Sequence, residues 1–66
     1  MREWTVVYQL KTIGDNEQKI RVISRGVPTE ELVRNTILLE ARDEEEYQFL
    51  QNHLHSLEIK RSFYEG

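Results

Sequence analysis

The chain has 66 residues, no cysteine and a formal net charge of −3 from 12 acidic and 9 basic side chains. That length allows one domain, residues 1–66, and a core too small to be more than marginally stable by itself. Disulfides and thiolate metal sites are excluded, so oligomerisation or a permanent partner is the expected source of further stability. Apolar residues make up 38% of the chain and are well patterned, which argues against disorder.

The N-terminal residues Met1-Arg2-Glu3-Trp4 lead into no apolar export segment, and the longest purely aliphatic run is Ile37-Leu38-Leu39. A cytoplasmic protein that does not enter a membrane is therefore expected. The mild acidity is that of a solvated surface. It supplies neither the basic excess of a nonspecific nucleic-acid binder nor the dense negative charge of a DNA mimic.

Residues Trp4 to Lys11 alternate, with Trp4, Val6, Tyr8 and Leu10 on one side and Thr5, Val7, Gln9 and Lys11 on the other. Period two with β-branched and aromatic residues predicts a strand. Gly14-Asp15-Asn16 is turn chemistry, because all three residue types tolerate the left-handed region. A second strand is predicted from Gln18 to Arg25, with Ile20 and Val22 on one face and Lys19, Arg21, Ile23 and Arg25 on the other. Together these make a β-hairpin.

Gly26-Val27-Pro28 ends the second strand. Thr29 is placed to cap one helical turn through Glu30, Glu31, Leu32 and Val33, with acids where the helix dipole favours them. An extended reading of residues 29–35 competes with it. Thr36 to Ala41 is read as a third strand, with Ile37, Leu39 and Ala41 facing the core. Asp43 followed by Glu46 is a variant of the capping box, and Tyr47, Leu50 and Leu54 follow at helical spacing, widened by Phe49, His53 and Leu57. A last strand carries Leu57, Ile59, Arg61 and Phe63 on one side and Glu58, Lys60, Ser62 and Tyr64 on the other.

The predicted fold is α+β: a small four-stranded mixed sheet with one main helix on one face. A right-handed crossover joins the strands that flank the helix. The helix would cover Trp4, Val6, Tyr8, Leu10, Ile20, Val22, Ile37, Leu39, Ile59 and Phe63. The opposite face would present Val7, Ile23, Leu38 and Tyr64 among Lys11, Lys19, Arg21, Arg25 and Lys60. The candidate partner-binding residues are Val7, Lys11, Arg21, Ile23, Arg25, Leu38, Lys60 and Tyr64.

Nothing in the chain points to catalysis, a metal or a cofactor. His53 and His55 project about 200° apart on a helix and cannot chelate one ion. The cluster Glu40, Asp43, Glu44, Glu45 and Glu46 lies at an exposed helix start, where acids complement the dipole and stay ionised. Gly14, Gly26 and Gly66 are too scattered for a phosphate loop, and no serine is framed as a nucleophile.

A non-enzymatic protein-binding module is expected, acting as an adaptor, regulator or inhibitor, as a homo-oligomer or a subunit of a complex. Size alone makes a phage or mobile-element inhibitor of a host protein a natural setting. The alternative is RNA or single-stranded DNA binding through the basic sheet face. This arrangement of elements recurs in unrelated small proteins, so no function follows from it by analogy.

Overall fold

The computed structural model describes residues 1–64. Strand β1 (Arg2–Leu10) turns back into β2 (Gln18–Ser24), which is followed by helices α1 (Glu30–Leu39) and α2 (Glu44–His53). A short 3-10 turn (Leu54–Ser56) then leads into strand β3 (Leu57–Tyr64). The sheet has three strands in the order β2-β1-β3, and both pairings are antiparallel. The fold is α+β, as the sequence predicts, but the four-stranded mixed sheet with one main helix is corrected to a three-stranded antiparallel sheet with two helices.

The hairpin follows its alternating pattern, with Trp4 opposite Val22 and Val6 opposite Ile20. Its turn is made differently from expectation. No described residue has positive φ, and the chain reverses through Ile13 and Gly14 amides that donate to the Leu10 carbonyl at 2.9 and 3.3 Å.

The predicted third strand, Thr36 to Ala41, is instead the end of α1 through Leu39, followed by the cap Glu40 and by Ala41 outside the helix. Thr29 does cap a helix, its Oγ1 accepting from the Leu32 amide at 3.2 Å, but the helix runs on to Leu39 instead of stopping after one turn. Glu30 and Arg34 pair along it at 2.6 Å. Val33 and Ile37, one turn apart, are buried against the sheet, and that spacing decides between helix and strand. Leu38 and Leu39 are therefore helical. Leu38 packs at the edge of the core, and Leu39, expected inside, is 84% exposed. Helix α2 begins where expected, with Asp43 Oδ1 accepting from the Glu46 amide at 2.8 Å.

The core lies between the helices and one sheet face. Val6, Tyr8 and Leu10 from β1 and Ile20 and Val22 from β2 meet Val33, Ile37 and Leu54. Leu32, Leu38, Leu50, Leu57 and Ile59 seal its margin.

Strand β3 does not keep the simple alternation read from its sequence. Val7 pairs with Arg61 while the next residue, Tyr8, pairs with Ile59, so Lys60 is the extra residue of a β-bulge. Residues beyond the bulge change sides: Ser62 and Tyr64 join the helix side, and Arg61 and Phe63 the other. The placement of Phe63 in the core and Tyr64 on the open face is thus reversed.

The helical assignment of residues 36–39 gives opposite expectations for neighbouring residues. Ile37→Ala should destabilise by about 2–5 kcal/mol, the range for a truncated core aliphatic. Leu39→Ala should change stability by less than about 0.5 kcal/mol, as exposed substitutions do. Denaturant unfolding of the two variants checks this; a strand at 36–41 would make both costly.

Candidate functional site

The sheet face opposite the helices is laid out by register. Glu3 lies beside Ile23; Arg21, Thr5 and Phe63 form the next row; Lys19, Val7 and Arg61 form the third. Directly opposed antiparallel residues project from the same face, so each row is a set of touching neighbours. Val7 has no exposure and Thr5 is buried, although both lie on the face that the helices leave bare. Long neighbours on both edge strands account for this: the aliphatic stems of Lys19 and Arg61 flank Val7, and Arg21 and Phe63 flank Thr5. What a partner would meet is the outer layer, in which Ile23 is 57% and Phe63 42% exposed. An open groove of about 320 Å³ lies over Thr5, lined also by Lys19, Ile20, Arg21 and Phe63.

The basic residues expected here are largely neutralised within the chain. Glu58 receives Lys11 at 2.6 Å and Lys60 at 2.8 Å. Arg21 lies 3.5 Å from Glu3, and Arg61 3.5 Å from Glu17. Among the described residues only Lys19 and Arg25 of that set form no ion pair. The hydrogen bond from Lys11, seconded by that from Lys60, holds the Glu58 carboxyl down at about 2. The same bond raises the Lys11 ammonium.

The eight residues singled out from the sequence are therefore dispersed. Arg21 and Ile23 are exposed on the open face, and Arg25 follows in the bend after β2. Val7 is on that face but beneath its neighbours. Lys11 and Lys60 are joined through Glu58. Leu38 belongs to α1 and lies away from the face. Tyr64 stands on the helix side, its ring 5.8 Å from that of Trp4 and capped by the Arg2 guanidinium at 4.7 Å. Phe63 and Thr5 were missed as site residues, Phe63 because the bulge that turns it outward leaves no clear mark in the sequence.

Two other groupings of polar side chains lie away from this face. Thr12 Oγ1 lies 2.7 Å from His53 Nδ1 and 2.8 Å from Ser56 Oγ, and the Ser56 hydroxyl donates to the His53 carbonyl at 2.8 Å. The Phe49 ring packs on the imidazole at 4.6 Å. This network fastens the hairpin turn to the end of α2. Its hydrogen bonds run between the turn and the helix end, including the Thr12 amide donating to Ser56 Oγ at 3.2 Å, as in a clamp. In the acidic stretch, Asp43 caps α2 and Glu46 pairs with Arg42 at 3.1 Å. Among the described residues no group of three or more acids and histidines converges as metal ligands would, and no helix is long and apolar enough to cross a membrane. No protein-family model, curated protein or solved structure matches the chain.

The Glu58 cluster makes a pH prediction. Its carboxyl is depressed from an ordinary 4.5 to about 2 in the folded chain, so the pairing is complete above 4.5 and is lost as pH falls through 2. The carboxyl carbon of Glu58, followed by NMR, should titrate near 2, and it should move toward the ordinary value in Lys11→Met and, by less, in Lys60→Met. Added salt should shrink the shift because the cluster is solvent-exposed.

Proposed function

We propose that the chain is a non-enzymatic protein-binding module whose contact surface is the open face of its sheet. It works as an adaptor, regulator or inhibitor, either as a homo-oligomer or as a subunit of a complex. The observation that carries this reading is the bare sheet face with Ile23 and Phe63 standing out from it. A three-stranded sheet with helices on one side alone has half of its surface available. Two large hydrophobes flanked by arginine and lysine resemble the mixture of apolar anchors and cations found in protein interfaces.

The nucleic-acid reading is weaker on the same surface. Lys11 and Lys60, two of the cations assigned to it, are held by Glu58 at 2.6 and 2.8 Å, and each would have to leave that carboxylate to meet a phosphate. Among the described residues the face carries one exposed ring, Phe63, whereas single-strand binders stack several bases on successive aromatics.

Size-exclusion chromatography with light scattering, run over the micromolar range, tests the self-associating form. Wild type should be dimeric or larger, and Ile23→Glu with Phe63→Glu should be monomeric and still folded by circular dichroism. A wild-type monomer at every concentration would remove self-association. An electrophoretic shift with single-stranded RNA or DNA that is lost in Arg21→Glu and in moderate salt would overturn the protein-binding reading in favour of nucleic acid.

A further inference from the structure

The two edges of the sheet are not equivalent. Strand β3 carries the bulge at Lys60, which disrupts the regular spacing that an added strand needs. Strand β2 pairs with β1 residue by residue from Gln18 to Ser24, with no proline, glycine or bulge. Among the described residues its outer edge bonds no other backbone segment. It is a straight, unfilled template.

Its side chains determine what can fill it. Along the open face β2 presents Lys19, Arg21 and Ile23 in alternation, with Arg25 just beyond the strand end. Lys19 and Arg25 have no acidic partner among the described residues, and the Arg21 side chain is 77% exposed with Glu3 no closer than 3.5 Å. A second copy of β2 is a poor occupant. Two-fold antiparallel pairing about Ile20 sets Lys19 against Arg21 of the other copy, pairing about Arg21 sets that residue against itself, and pairing about Val22 sets Lys19 against Arg25. Like charges directly opposed across strands are destabilising. The chain's own acidic run is also withdrawn, since Asp43 to Glu46 are fixed in the cap and first turn of α2.

We propose that the β2 edge receives an extended, acidic segment of another protein as a fourth, antiparallel strand. Reading the partner from its N-terminus, the residues opposite Arg25, Ile23, Arg21 and Lys19 give the pattern acid–x–apolar–x–acid–x–acid. Backbone hydrogen bonds supply affinity that is indifferent to sequence, and the alternating charges supply selection and orientation. The inference rests on the protein-binding reading and names the partner's chemistry: the edge is continuous with the open face through Arg21 and Ile23.

The test uses two synthetic peptides, Glu-Thr-Val-Thr-Glu-Thr-Glu and its counterpart with lysine for each glutamate, titrated into the isotopically labelled full chain. The acidic peptide should shift and protect amides of Gln18 to Ser24, bind more weakly as salt rises, and outcompete the lysine peptide. In Lys19→Glu with Arg21→Glu its affinity should fall by about tenfold, and the preference should pass to the lysine peptide. Protection confined to the β2 amides, with those of Thr5 and Phe63 unmoved, separates this proposal from the face-mediated contact. Equal affinity for both peptides, or shifts centred on β3, overturns the edge proposal whatever the oligomer experiment shows. Loss of wild-type self-association with β2 protection retained would overturn the homo-oligomer alone.

Discussion

The structure depends on one interior strand. In a sheet ordered β2-β1-β3, only β1 has neighbours on both sides, and consecutive residues of it, Val6 and Val7, are both fully buried. Successive strand residues face opposite ways, so β1 is shielded above and below. Above, the shield is the core of α1, α2 and Leu54. Below, it is a lattice of side chains from the edge strands. Both helices, both ladders and the clamp of Thr12 on His53 and Ser56 serve to enclose that strand. A chain of this size has little else with which to exclude water, which is why the lower shield is made from lysine and arginine stems and not from another layer.

The parts of the fold legible in the sequence are those fixed by local chemistry. Alternation specified β1 and β2, and Asp43 with Glu46 specified the start of α2. The failures were at places where a local pattern is ambiguous or is broken by a longer-range fit. Ile37-Leu38-Leu39 is a short apolar run that suits a buried strand or a helix equally. The decision came from Val33 and Ile37 lying one turn apart under a threonine cap, so that a continuous helix could bury both on the sheet. In β3 the face of every residue after Lys60 depends on one inserted residue, and period-two counting carries that error through to Tyr64.

The open face was recognisable in outline and wrong in detail for the same reason. Arg21 and Ile23 were found because β2 is regular. Leu38 and Tyr64 were assigned to the face through elements that were misread, and Phe63 was lost from it. The charge pattern looked like a free basic surface because ion pairing is set by cross-strand register. Glu58 reaches Lys11 across the β1–β3 pairing, and Glu17 reaches Arg61 from outside β2, relations that sequence distance does not reveal. Tyr8 shows the converse on the helix side: burial, aided by the charge of Glu40, raises its phenol above the usual tyrosine range.

The bulge at Lys60 also separates two properties of a strand that normally change together. A one-residue deletion inside a regular strand reverses every side chain that follows it. Here the residue opposite no partner is the dispensable one: without it, Arg61 would follow Ile59 directly, and the ladder of β1 with β3 would run unbroken from Trp4 to Leu10. Every later side chain would keep its present face, so the core and the open surface would survive the shortening. What would vanish is the irregular edge, together with the Lys60–Glu58 ion pair, leaving two straight borders on the sheet where now there is one. The length of β3 is thus free of the demands of packing at this position, and sets instead the shape of the border that the sheet presents.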